Sequence, residues 1–239
     1  MKVYIASEKE IAKMAAQRYV QLINTKPNAI IGGATGSTPI PLYKELAKQC
    51  KAGNVSFKNV KSFNLDEYVG LDGTHDQSYR YFMNNQLFKH IDIDVNNTFV
   101  PSGIDTKNPE KYDAQIQAAG GVDLQLLGIG VDGHIGFNEP GTKFDSLTHV
   151  VKLEQNTREV NSRFFKSIKE VPTHAVTMGI KTVMNARSII LIATGKSKAK
   201  IVKEFIEGSI TTKCPASILQ LHPFVEVYLD EEAASLLKK

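Results

Sequence analysis

Asp132, His134 and Glu139 set one imidazole between two carboxylates within eight residues, in the run Gly130-Val131-Asp132-Gly133-His134-Ile135-Gly136-Phe137-Asn138-Glu139-Pro140-Gly141. Histidine titrates near neutral pH, and flanking carboxylates orient its ring and support its charged form, so this is a proton-transfer arrangement. A second pair of acids, Asp66 and Glu67, follows the apolar run 60–65. Along extended backbone neighbouring side chains point to opposite sides, so one of the two faces a cleft directly. A carboxyl shielded from water at a strand end has a raised pKa and suits a general base.

Two further loops suit an anion. Gly32-Gly33-Ala34-Thr35-Gly36-Ser37-Thr38-Pro39 lies between an apolar run and an amphipathic stretch. Its glycines let backbone amides curl around a charge, its hydroxyls add donors, and proline fits the first turn of the helix that follows. The segment lacks the Gly-Lys-Ser/Thr ending of a nucleotide loop, which points to a sugar phosphate. In Ala193-Thr194-Gly195-Lys196-Ser197-Lys198, Lys196 or Lys198 can join helix amides around a phosphate. Gly195-Lys196-Ser197 is no Walker motif, because Ile190 stands where its leading glycine belongs. Gly128 to Gly133 satisfies Gly-x-Gly-x-x-Gly, yet Gly136, Pro140 and Gly141 break the helix a dinucleotide site requires. Asp132, His134 and Glu139 also suit a metal, but no paired histidines or cysteine ligands accompany them, so no metal and no cofactor is expected.

These loops need a scaffold that brings them together. Apolar runs at 29–33, 60–65, 123–129, 188–193 and 225–229, with weaker ones at 3–6 and 98–100, alternate with helical stretches at 39–51, 76–90, 108–119, 197–207 and 230–238. Ser7 and Glu10 form a capping box ahead of a stripe made by Ile11, Met14, Ala15, Tyr19, Leu22 and Ile23. The alternation predicts one α/β domain over 1–239, an open, mostly parallel twisted sheet with helices on both faces (Rossmann-like). Ligands of such sheets bind beyond the carboxyl ends of the strands, where all four loops fall.

With 239 residues, 42% hydrophobic and 23% charged, the chain suits one globular core. No stretch reads as a secretory signal or a membrane span, and the two cysteines, Cys50 and Cys214, read as reduced thiols, so a cytoplasmic protein is expected. The net charge of +4 is scattered, and Lys196, Lys198, Lys200 and Lys203 read as a solvated helix face, so neither nucleic acid nor membrane is expected as a partner.

Together the blocks Ala34-Thr35-Gly36-Ser37-Thr38-Pro39, Phe63-Asn64-Leu65-Asp66-Glu67-Tyr68-Val69-Gly70, Asp132 through Pro140, Asn161-Ser162-Arg163-Phe164-Phe165 and Leu219-Gln220-Leu221-His222 resemble the glucosamine-6-phosphate deaminase family, from residue 1 to about 236. The resemblance implies conversion of glucosamine 6-phosphate and water to fructose 6-phosphate and ammonia. It makes His134, held by Asp132 and Glu139, the group that opens the pyranose ring, and Asp66 the base that moves a proton from C2 to C1. Thr35, Gly36, Ser37, Thr38, Lys198 and Arg163 would hold the phosphate, Arg163 on a lid around 145–175.

Members of that family activated by N-acetylglucosamine 6-phosphate carry basic residues before the lid, where this chain has His149-Val150-Val151-Lys152, and a longer tail than one ending at Lys239. A non-allosteric monomer or small homo-oligomer is therefore expected. Competing readings are a 6-phosphogluconolactonase-like hydrolase, a galactosamine-6-phosphate isomerase, and a non-catalytic sugar-phosphate sensor. His75, His90, His174 and His222 are expected to be structural.

Overall fold

The computed structural model describes residues 1–155, 158–159, 165 and 167–238. The inner apolar runs become parallel strands because they are buried on both sides, whereas the first run, at the sheet edge, stays largely exposed. Among the described residues these are β1 (Lys2–Ile5), β2 (Ile30–Gly33), β3 (Lys61–Asn64), β5 (Thr98–Phe99), β6 (Leu124–Leu127), β9 (Ile189–Ala193) and β10 (Val225–Leu229). They form one sheet in the order β1-β10-β9-β6-β2-β3-β5, parallel at every pairing.

Helices cover both faces, as the registers show. Ser62 pairs with Thr98, and α3 (Tyr79–Gln86) reaches that side through Arg80, whose Nη1 donates to Thr98 Oγ1 at 2.6 Å. Phe63, one residue on, points to the other side, where Tyr112 of α4 (Lys111–Ala119) meets it edge-on with ring centroids 5.7 Å apart. α1 (Glu8–Thr25) starts at the expected capping box, with Ser7 and Glu10 bonded reciprocally, and buries Ile11, Ala15, Tyr19 and Ile23. Such a box stabilises a helix start by roughly 1 kcal/mol. α2 (Ile40–Lys51) lies alongside it, with Pro41 in its first turn. α5 (Ile180–Met184) and α6 (Ala199–Glu207) complete the described helices.

A second sheet is absent from the expected pattern. β4 (Asp66–Tyr68), β8 (His174–Thr177) and β7 (His149–Lys152) pair antiparallel in that order. It occupies both ends of the span 145–175, so that span holds strands as well as the segment read as a lid. The predicted helix 230–238 is replaced by successive turns. Asp230 caps the first turn, its Oδ1 accepting Ala233 N–H at 2.7 Å while Ala234 N–H reaches the Asp230 carbonyl at 3.0 Å. Its Oδ2 and Glu232 also accept the N–H groups of Gly195 and Lys196 at 2.8 and 3.1 Å, and the closures at Ser235 and Leu237 span three residues. The predicted helix 76–90 is shorter, α3 beginning after the cap Ser78 and ending at Leu87, whose φ of -136° leaves the helical range before a 3-10 turn.

The chain places β3 and β5 on one side of β2 and β6, β9 and β10 on the other. Strand order therefore reverses between β2 and β6, and loops leaving those two strands part to open a crevice.

Candidate active site

All four loops singled out in the sequence leave the carboxyl ends of four adjacent strands, β9, β6, β2 and β3, around this switch point. The loop after β6 folds tightly, with Gly130 N–H donating to the His134 carbonyl at 2.9 Å and Gly133 N–H to the Gly130 carbonyl at 3.1 Å. No helix opens there, which agrees with setting aside the dinucleotide fingerprint. His134 Nδ1 lies 2.8 Å from Asp132 Oδ1 and 3.4 Å from Glu139 Oε2. Both carboxylates thus serve one nitrogen, and Nε2 is left to exchange a proton with a substrate. Burial works against a charged imidazole here, yet the two carboxylates outweigh it and lift its pKa to about 9. Burial likewise opposes charge on Asp132, and the bond to His134 prevails, holding that carboxyl well below the usual range. The three ligand-type atoms lie within 4.8 Å of one another, a span a small cation could bridge.

Asp66 and Glu67 divide as alternation requires. Glu67 turns to the start of α3, where its carboxylate accepts the N–H groups of Tyr68, Tyr79 and Arg80 at 2.8, 2.9 and 3.0 Å. Asp66 turns to the loop after β6. A Cβ placed on Gly136 would stand 3.5 Å from Asp66 Oδ2 and 2.9 Å from Thr177 Oγ1, so the carboxylate lies directly against that loop. The side chain is 6% exposed. Burial, seconded by the charge of Glu67, pushes its carboxyl up to about 8 against the pull of His134.

The loop after β2 begins where Tyr43 pins it, its hydroxyl accepting from Ala34 N–H at 3.1 Å and donating back to the Ala34 carbonyl. Beyond that point the amides of Thr35, Gly36, Ser37 and Thr38 have no hydrogen-bond partner among the described residues. Gly36, at φ +90°, makes the turn that exposes them, in a region where a side chain is strained. Four unpaired donors at a helix start have the chemistry to hold an anion. Thr38 lines a cleft with Ile192 and Thr194, which joins this loop to the one after β9.

In that last loop Lys198, not the exposed Lys196, faces the site. Lys198 Nζ donates to the Ile129 carbonyl at 2.8 Å, and burial depresses its pKa against the favourable charge of Asp132. The amides of Gly195 and Lys196, ahead of the helix, are already taken by Asp230 and Glu232, which accept from them. Arg163 lies outside the described residues.

Residues that carried no chemical signal in the sequence also build this site. Asn138 Nδ2 donates to the carbonyls of Ile135 and Met178 at 2.9 and 2.8 Å, stapling the histidine loop to the end of β8. Thr177 Oγ1 accepts from Phe137 N–H at 3.1 Å and lies opposite Asp66 in the β4–β8 register. His222 is structural as expected, its Nε2 2.8 Å from the buried Ala186 carbonyl.

A family model described as glucosamine-6-phosphate isomerases/6-phosphogluconolactonase matches residues 6–227. The chain belongs to this family. Relatives bearing the name glucosamine-6-phosphate deaminase include one from Clostridium perfringens, 52% identical over 96% of both chains. Another, from Thermoanaerobacter pseudethanolicus, is 50% identical over 99% of this chain and 95% of its own. The fold matches a solved structure described as a monomeric glucosamine-6-phosphate deaminase with a TM-score of 0.95, 44% identity and coverage of 99% and 100%. A 6-phosphogluconolactonase from Trypanosoma cruzi shares the fold alone, at TM-score 0.80, 20% identity and coverage of 100% and 97%.

Proposed function

We propose that this protein is an enzyme that converts glucosamine 6-phosphate and water to fructose 6-phosphate and ammonia, acting in the cytoplasm on a free sugar phosphate. The observation that carries this reading is the buried Asp66 carboxyl set against the loop that holds the Asp132–His134–Glu139 cluster. A carboxyl with a pKa near 8 and an imidazole near 9 are both poised for proton transfer at neutral pH. The deaminase relatives at about half identity over the whole chain support the same substrate.

In this reading the amides of Thr35 to Thr38 and the ammonium of Lys198 take the 6-phosphate, joined by Arg163 from the lid. The charged His134 gives its Nε2 proton to the ring oxygen as the C1–O5 bond breaks, and the neutral ring then receives the proton leaving O1. The open chain presents a C1 aldehyde beside an amine-bearing C2. Asp66, ionised, takes the C2 proton as the reprotonated His134 gives one to the carbonyl O1, and then returns its own proton to C1, which leaves a hydroxyl at C1 and a protonated imine at C2. Water adds to that imine, and its collapse yields the ketone and ammonia. Apart from the substrate and water, these steps use groups of this chain.

Coupled assay of ammonia and fructose 6-phosphate from glucosamine 6-phosphate tests the reading. The wild type is expected to give both products in equal amounts, and Asp66→Asn to lose roughly 10²- to 10⁴-fold of the rate. Hydrolysis of 6-phosphogluconolactone without ammonia release would replace it with the lactonase reading.

A further inference from the structure

Gly130 stands four residues before His134, and the imidazole lies across it. A Cβ built on Gly130 would fall 2.3 Å from both Cε1 and Nδ1 of His134 and 2.6 Å from Nε2. The whole ring edge therefore fills the volume that any side chain at 130 would need. Backbone conformation is not the reason for glycine here, because Gly130 is not among the residues with positive φ. The bonds of the turn, Gly130 N–H to the His134 carbonyl and Gly133 N–H to the Gly130 carbonyl, fold the histidine back over this point and are open to any residue.

We propose that Gly130 is a positioning residue whose missing side chain is the slot in which the His134 ring sits while Nδ1 meets Asp132 and Glu139. This rests on the reading of His134 as the ring-opening group. The ring is tied at Nδ1 by two carboxylates, so a methyl at 130 is relieved only by moving the imidazole. A methyl at 130 must lift the imidazole, which separates Nδ1 from its partners and re-aims Nε2. The nearby Gly128 supplies the contrast: its Cβ would meet nothing within 4 Å and its backbone is equally ordinary.

The test compares Gly130→Ala, Gly128→Ala, His134→Ala and the Gly130→Ala/His134→Ala pair. Gly130→Ala is expected to cut kcat roughly 10²-fold, the size of loss that follows displacement of a reacting group by about an ångström. KM should change little, and Gly128→Ala should stay near the wild type. The His134 titration, followed by NMR, should fall towards the ordinary imidazole value in Gly130→Ala as the carboxylates lose hold. A double-mutant cycle in Tm separates the slot from general damage to the loop. Gly130→Ala should lower Tm by several degrees beside the ring and by nothing once His134→Ala has removed it. If Gly130→Ala is too unstable to purify, recovery of folded protein in the double variant supports the slot, and continued misfolding overturns it. An unchanged His134 titration with wild-type kcat in Gly130→Ala, or a Tm penalty that persists without the ring, also overturns it. Absence of ammonia from the wild type would instead remove the functional reading, while the titration and the Tm cycle still decide on the slot.

Discussion

At the residue scale, Asp66 reaches its catalytic, ionised form at a thermodynamic cost. Its carboxyl rises from 3.8 to about 8 on folding, because burial and the neighbouring Glu67 charge disfavour ionisation. The folded state therefore binds a proton that the unfolded chain releases between those values, and stability conferred by the neutral acid is lost as pH rises through the window. Asp66→Asn has no such proton to lose. Its Tm, compared with that of the wild type, should gain steadily from pH 4 to about pH 8 and the gap should stop widening above it. A gap independent of pH in differential scanning calorimetry would show that Asp66 is ionised across the range. The same residue was legible as a candidate in the sequence only as one of two. Alternation along β4 separates them, and what assigns the roles is tertiary: the start of α3 takes Glu67, and Gly136 and Thr177 face Asp66.

Elements explain what sequence could and could not reveal. In the large sheet β6, β9 and β10 were legible because each is a largely apolar, largely buried run, Ile189–Ala193 and Val225–Leu229 most clearly. β4, β7 and β8 have three or four residues each and include Asp66, Glu67, His149 and His174, so no apolar run marks them and only their pairing makes them strands. The capping box at Ser7 was legible because its two partners are three residues apart, whereas Asp230 and Glu232 bind the turn after β9 across more than thirty residues. Glu67 shows how an element end depends on a distant acid. Two of its three accepted N–H bonds, from Tyr79 and Arg80, tie β4 to α3, so Glu67→Gln should lose about 1–3 kcal/mol. That appears as a Tm several degrees lower, with KM nearly unchanged. Asp66→Asn is expected to do the reverse, losing turnover while keeping the fold. Equal loss of turnover in both variants, at equal Tm, would contradict the division of labour between the two acids.

For the whole molecule, the topology gathers the acid pair with its imidazole, the candidate base, the amide cradle and Lys198 at neighbouring strand ends of a single chain. None of these described groups needs a second subunit to complete it. Cooperativity is a coupling free energy between distinct sites, and the described groups build one crevice. The fold is shared at TM-score 0.95 with a deaminase described as monomeric. Initial rates against glucosamine 6-phosphate should therefore be hyperbolic, with a Hill coefficient of about 1. They should scale linearly with enzyme concentration, and N-acetylglucosamine 6-phosphate should not activate. Sedimentation velocity on the same samples should give a single species of constant mass across the dilution series. Sigmoidal rates relieved by N-acetylglucosamine 6-phosphate would mean that a second site exists and is coupled to the crevice. The exposed strand β7, whose His149 and Lys152 stand where activated relatives carry basic residues, would then be the first place to look for it.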